Sequence, residues 1–500
     1  MESLPEPGPL PSKLAAALVF VASGAVLVLE TVALRLVGPY VGVTLQVTSA
    51  VIGMALGAIA YGAWLGGFLA DRYDPRRLLA PALVLAGIAT AATLPLVRYA
   101  GEVLRGEAAA GILLLTALAI VVPAGLLSAV TPLVVKLQLG DLKVTGRVVG
   151  KLSSIGTLGG ITATLATGFV LVAALRTSVI MISLAVLLTG GGLALGWYLR
   201  GRNPVPLATA RTRAVLAVLG LAGAGLSTVA PDPCDVETAY HCATVVADPA
   251  RPSGRTLVLN SARHSYVDLD DPTHLEFEYT RWFGAVADAM APVGQRVDAL
   301  HLGGGGFTMP RYLTANRPGT TNDVYEIDGG LVDLARRELG LRTGPALSAR
   351  VGDARILLTA RADHSADLVV GDAFGHLTVP WHLATREMAA EIHRVLRPGG
   401  IYTQNVIDYP PLRFIRAEVA TVAAVFPHVA LVGTPAALAG EEGANFVIVA
   451  SDAPLPLDAL RARLTDGAQA LSDADLDDFV SDAVVLTDDF APVDQLLARG

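Results

Sequence analysis

Two cysteines stand in 500 residues, Cys234 and Cys242, and no zinc-ligand spacing surrounds them. The nine histidines are scattered and form no H-E-x-x-H run, so neither a structural nor a catalytic metal is expected. Charged residues are scarce at 16% against 53% hydrophobic, a balance too apolar for a wholly soluble chain. The net charge of −8 concentrates no Lys and Arg against phosphates, which argues against nucleic acid as a partner. The start of the chain has neither the basic stretch nor the small-residue cleavage site of a secretory signal. Residues 1–13, rich in Pro with two Glu, read instead as a flexible lead.

What the chain does hold is unevenly spread. Seven apolar stretches are long enough to cross a bilayer, which takes about 20 residues each: Leu14 to Val37, Val47 to Leu69, Leu78 to Val97, Ile112 to Val135, Val148 to Leu175, Val179 to Leu199 and Ala214 to Val229. They define a multi-span helical membrane domain, residues 14–230, dense in the small residues that let helices approach closely in lipid. Glu30 lies inside the first span, where a carboxylate needs a partner or a polar cavity. Arg35 is placed to reach it. Glu30 reads either as the lining of a transport route or as a structural hydrogen bond between helices.

Basic residues set the orientation. Lys13, Arg72, Arg76, Arg77, Lys136, Lys143, Arg147, Lys151, Arg200, Arg202, Arg211 and Arg213 fall on one side of the spans, and Arg35, Arg98, Arg105 and Arg176 on the other. Twelve against four puts the amino terminus in the cytoplasm, and an odd number of spans then puts everything after Val229 outside a multi-pass cell membrane. Cys234 and Cys242 are either a small loop disulfide, which suits an oxidising compartment, or two buried thiols.

The remainder has ordinary soluble composition. Residues 231–290 read as a small β-rich segment, with strands at Ala243 to Val246 and Thr256 to Leu259. A helix through Tyr279, Trp282, Phe283, Val286 and Ala287 follows. Residues 291–500 alternate strands and helices, the mark of a mostly parallel sheet covered on both faces, a Rossmann-like α/β domain. The first strand ends in Gly303-Gly304-Gly305-Gly306, a sharp turn into a helix. Glu326 closes the second strand at close to the ~20-residue spacing of a ribose-gripping acid. Asp353 closes the third and Asp372 the fourth. Ligands of such sheets bind at the carboxyl ends of strands, and all these residues map to that one edge.

Three acids at one edge suit a ligand with hydroxyls, an exocyclic amine and a cation. Glu326 would accept from a ribose, Asp353 from an adenine amine, and Asp372 would face the reacting group. Asp353 reads equally as a cap of the following helix. A sulfonium nucleoside has these features, and S-adenosylmethionine is the common one. A nicotinamide cofactor fits less well, because Thr308 stands where the third Gly of G-x-G-x-x-G belongs. Asp488 and Asp489 read as a solvated loop.

From about Glu237 onward the chain resembles the spermidine synthase family, the polyamine aminopropyltransferases. The matching pieces are Leu257 to His264, Leu302 to Gly306, Tyr325-Glu326-Ile327-Asp328, Gly352-Asp353-Ala354, Asp367 to Phe374 and Leu396 to Gly400. Spans followed by this domain, with the ending Leu486-Thr487-Asp488-Asp489-Phe490-Ala491-Pro492-Val493, resemble the membrane-fused spermidine synthase-like proteins. The resemblance implies a fold of the class I S-adenosylmethionine-binding type. It also implies transfer of an aminopropyl group from decarboxylated S-adenosylmethionine to an amine such as putrescine, with release of methylthioadenosine.

On this resemblance Asp372 is the catalytic acid, Glu326 the ribose ligand, and Asp353 with Ala354 the adenine site. Gly303 and Gly305 form the cradle, His264 falls where the family has a Gln, and Pro380 lies near an adenine-flanking Pro. Gly306 and Gly375 replace two family acids, and Thr434-Pro435 takes the place of an acceptor-pocket Tyr-Pro, which weakens the expected diamine grip. The partners expected are a small amine, the lipid bilayer and a second copy of the chain as a homodimer. Two other readings use the same residues: a methyltransferase on this fold, and a transporter or sensor whose soluble domain only binds a nucleoside.

Overall fold

The computed structural model describes residues 10–106, 108–139, 145–200, 223, 225–226, 229–375 and 378–497. It divides into two compact units, Met1–Cys242 and Ala243–Gly500.

Among the described residues of the first unit, six helices are long and apolar enough to cross a membrane: α1 Ser12–Val41, α2 Leu45–Arg72, α3 Pro75–Val103, α4 Ala109–Gln138, α5 Thr145–Ala174 and α6 Thr177–Arg200. Local chemistry starts them. The Thr44 side chain accepts from Val47 N–H (3.3 Å). Asp74 accepts from Arg76 N–H (3.0 Å) ahead of Pro75 at the first turn of α3, where a missing N–H costs nothing. Small residues let the helices touch backbone to backbone. A Cβ on Gly62 of α2 would sit 2.2 Å from the Gly125 carbonyl of α4. The seventh expected span, Ala214 to Val229, falls almost wholly outside the described residues.

Arg35 does not pair with Glu30. Five positions along a helix turn a side chain away from its partner's face. Its guanidinium instead meets Glu237 (3.2 Å) in the short strand β1 (Val236–Glu237), together with the Thr238 and Ala239 carbonyls. Glu237 also accepts from Thr177 N–H at the start of α6 (2.9 Å). Arg98, near the end of α3, donates to the Ala230 carbonyl (3.4 Å) and pairs with Asp232 (3.2 Å). Residues 230–237 therefore lie at the end of this bundle opposite the amino-terminal end of α1. Arg200, closing α6, lies at the α1 amino-terminal end, since successive helices run in alternate directions. Cys234 and Cys242 are joined as a disulfide.

The second unit opens with an antiparallel meander, β2 (Cys242–Ala247), β3 (Gly254–Leu259) and β4 (Ala262–Asp268). Helix α7 (Glu278–Met290) follows. The main sheet has eight strands in the order β12-β10-β11-β9-β8-β5-β6-β7. Its parallel part comprises β5 (Ala299–Leu302), β6 (Asn322–Glu326), β7 (Leu347–Val351), β8 (Ala366–Gly371) and β9 (Leu396–Asp408). An antiparallel edge adds β10 (His428–Gly433), β11 (Ala444–Ser451) and β12 (Gln469–Ser472). The late strand expected at Asn445 to Ala450 is β11, running against β9.

The period-2 alternation sorts side chains between two cores. Leu368 and Val370 pack with Trp282 and Phe283 of α7, whereas Val369 packs with Phe414 and Ile415 on the other face. The chain runs outward from β5 to β7 and then crosses back to β8. The carboxyl ends of β5 and β8 thus flank the point where strand order reverses, the place where such sheets open a crevice.

Candidate functional site

Gly303 leaves β5 with φ +96°, and a Cβ there would lie 2.3 Å from the Asp372 carbonyl. Only glycine adopts that backbone without cost, so the turn lies directly against the end of β8. Gly304 and Gly305 donate their N–H groups to Glu326 Oε2 (2.8 and 3.1 Å), and Asp328 N–H donates to Oε1 (2.9 Å). Glu326, at the end of β6, is buried. Of a carboxylate's roughly four acceptor directions, three are used in clamping the loop. Gly306 N–H donates to Ser265 Oγ (3.0 Å), which lies 3.2 Å from His264 Nδ1, so β4 reaches the same turn.

Asp372 follows β8. Asn405 Nδ2 donates to its Oδ1 (3.0 Å) and the Tyr279 hydroxyl to its Oδ2 (3.3 Å). Burial pushes the carboxyl up to about 6, against the pull of these two donors. The Tyr279 hydroxyl is raised well above its ordinary value by burial and by the charge of Asp372, so it stays protonated and can donate to that carboxylate. These groups face a cleft of about 380 Å³, lined in part by His264, Phe374 and Asn405. The buried Asn405 Oδ1 has no hydrogen-bond partner among the described residues.

Asp353 caps the helix α8 (Ala354–Thr359), its Oδ1 accepting from Arg355 and Ile356 N–H (2.9 and 3.1 Å). Its Oδ2 takes His382 Nε2 at 3.0 Å. His382 sits in the turn that begins after Pro380, so Asp353, Ala354 and Pro380 form one wall. Arg355 ties this wall to Asp488 through two bonds (2.7 and 2.5 Å), and Thr385 Oγ donates to the same carboxylate (2.8 Å). Asp488 stays exposed in its loop, as its sequence position implies, but it is paired there: the Arg355 guanidinium holds its carboxyl below the ordinary range. Thr434 caps its own short helix, accepting from Ala437 N–H (3.2 Å), and is not among the residues lining the cleft beside Asp372.

The structure thus brings Gly303, Gly305, Glu326, His264 and Asp372 into one set of contacts at the carboxyl ends of β5, β6 and β8, while Asp353 and Ala354 follow β7 on the same edge and Pro380 precedes the turn that holds His382. Sequence reasoning missed Tyr279, which reads as helix core, and Asn405, whose one signal was a polar residue inside an apolar strand. Among the described residues no group of three or more His, Cys, Asp or Glu is placed to hold a metal ion.

No family model matches the chain. It is 27% identical over 220 residues to a polyamine aminopropyltransferase of Vibrio vulnificus, covering 41% of this chain and 71% of that protein. It is 31% identical to a probable spermidine synthase of known structure from Corynebacterium glutamicum, with a TM-score of 0.47, covering 50% of this chain and 94% of the other. A spermidine synthase structure from Thermotoga maritima matches at 17% identity and a TM-score of 0.34, over 43% and 71% of the two chains. With 31% identity across nearly the whole Corynebacterium protein, the chain belongs, in its C-terminal part, to the spermidine synthase family of polyamine aminopropyltransferases, a family of transferases.

Proposed function

We propose that the protein is a membrane-bound aminopropyltransferase. It moves the aminopropyl group of decarboxylated S-adenosylmethionine to an amine and releases methylthioadenosine. The observation that carries this reading is Asp372: a carboxyl raised to about 6, held by Tyr279 and Asn405, at the mouth of the crevice that the glycine turn forms.

An ammonium has no lone pair, so the acceptor must shed a proton to attack. A carboxylate with a pKa near 6 is ionised at neutral pH and can take that proton first, leaving the neutral amine with the lone pair it needs. The nitrogen attacks the carbon beside the sulfonium, and the carbon–sulfur bond breaks with its electrons going to sulfur. Glu326 and the Asp353 wall hold the nucleoside while Asp372 aims the amine, and this fixed placement supplies much of the rate.

Purified protein given decarboxylated S-adenosylmethionine and an amine panel is expected to release methylthioadenosine. Release of S-adenosylhomocysteine from S-adenosylmethionine instead would make it a methyltransferase.

The Asp353 wall gives a graded test. Asp488→Ala removes two bonds from Arg355 and one from Thr385. It is expected to weaken methylthioadenosine binding about tenfold, the scale of a charge-assisted contact, measured by calorimetry. An unchanged affinity would make the C-terminal segment irrelevant to the nucleoside.

We place the catalytic unit outside the cytoplasm. Residues 230–237 anchor to Arg98, Arg35 and Thr177 at the bundle end opposite the amino terminus, and the Cys234–Cys242 disulfide suits an oxidising compartment. In intact cells a membrane-impermeant reductant followed by an impermeant maleimide is expected to label both cysteines. Labelling only after lysis would reverse the orientation.

A further inference from the structure

The cleft beside Asp372 carries more charge than one reaction needs, and most of it is already committed. Arg281 is held by Asp466 (2.8 Å) and by the Leu275 and Glu276 carbonyls. Glu276 meets His274 (3.0 Å), and Asp372 holds Tyr279 and Asn405. Two lining groups have no hydrogen-bond or ion-pair partner among the described residues: Arg263 on β4, and Glu278, the first residue of α7. The Arg263 guanidinium lies over the Phe277 ring, 5.2 Å from its centre. A guanidinium held over a ring face still has N–H donors to offer, and its fork suits a carboxylate through two parallel bonds. The neighbouring turn cannot add an acid. A Cβ at Gly306 would meet the Ser265 Cβ at 2.8 Å.

Resting on the aminopropyl-transfer reading above, we propose that the acceptor is a diamino acid rather than a plain diamine. Arg263 takes its carboxylate, Glu278 its α-ammonium, and Asp372 faces the side-chain amine. That amine's lone pair forms the new carbon–nitrogen bond. The carbon–sulfur bond breaks onto sulfur to leave a neutral thioether, and the amine's proton passes to the Asp372 carboxylate. A plain diamine could place its distal ammonium on Glu278 but brings nothing to neutralise Arg263.

The test uses matched pairs that differ only in the carboxylate, ornithine against putrescine and lysine against cadaverine, with the full-length protein in detergent and decarboxylated S-adenosylmethionine. The diamino acids are expected to give kcat/KM at least tenfold above their partners. Arg263→Gln is expected to cut that ratio by tenfold or more, chiefly through KM for the diamino acid, and Arg263→Lys to keep part of it. A preference for the diamines, or a ratio unmoved in Arg263→Gln, would overturn the proposal. So would turnover of neither pair by a protein that still binds methylthioadenosine. Failure to bind methylthioadenosine at all would bring down the nucleoside reading first, and this inference with it.

Discussion

Asp372→Asn is expected to lower kcat for aminopropyl transfer by 10²- to 10⁴-fold, the range a positioned general base supplies, and at the same time to make the protein more stable. Both effects follow from one cause. Burial raises the Asp372 carboxyl to about 6 against the pull of two donors, so its ionised form is disfavoured in the folded state. The unfolded chain ionises near pH 4. Between about pH 4 and 6 the folded state binds the extra proton, and stability falls as pH rises through that window; above it the loss is constant. The penalty at neutral pH is of the order of 1–3 kcal/mol. Asparagine keeps the shape and an acceptor for Tyr279 without the charge, and its amide can donate to Asn405 Oδ1, unpartnered among the described residues, once that side chain flips. Its melting temperature in detergent is expected to rise by a few degrees. Wild-type kcat/KM should climb about tenfold per pH unit below 6 and then level. The residual rate of the variant should lack that limb. A variant with the same limb near pH 6 would assign the base to another group.

How far the sequence revealed this site depended on the distance over which each signal acts. Strand ends, the glycine turn and the acids that follow are local patterns, so Gly303 to Gly306, Glu326, Asp353 and Asp372 were legible as one rim before any coordinates. Hydropathy likewise marked seven spans, of which the six that fall among the described residues are long apolar helices. The support around the acids was not legible. Tyr279 reaches Asp372 across 93 positions, Asn405 across 33, and Arg355 reaches Asp488 across 133. No periodicity encodes such pairings. Tyr279 sits on the apolar stripe of α7 and looks like packing, although its ring is buried while its hydroxyl serves the site. The antiparallel edge formed by β10, β11 and β12 was illegible for the same reason, since register is set between strands rather than along them. Arg35 misled in the opposite direction. Its closeness to Glu30 in sequence suggested a pair, whereas helix geometry sends it to Glu237. Asp353 is a cap of α8 through one oxygen, and its other oxygen meets His382, a pairing across 29 positions that no local pattern announces.

Replacing Glu326 should have the largest effect on binding, and for a reason beyond the ribose contact proposed for it. Its two oxygens accept three backbone N–H groups, from Gly304, Gly305 and Asp328. A glutamine can keep its carbonyl on one side only. Its amide would then point a donor at a donor, leaving buried N–H groups unpaired at about 1–3 kcal/mol each. The glycine turn would lose the clamp that shapes the cradle, and the nucleoside would lose both the cradle and a charged acceptor. Glu326→Gln is therefore expected to weaken methylthioadenosine binding by about 100-fold or more, a change of about 3 kcal/mol, with a fall in melting temperature. Glu326→Ala should go further on both counts. Glu326→Asp, which keeps the charge but is one methylene short, should lie between wild type and Gln. The order of the three affinities is the informative readout, measured by calorimetry beside thermal melts. Should Gln bind within threefold of wild type while its melting temperature falls, Glu326 would be a clip for the turn and nothing more, and the ribose hydroxyls would have to find their acceptor elsewhere along the rim.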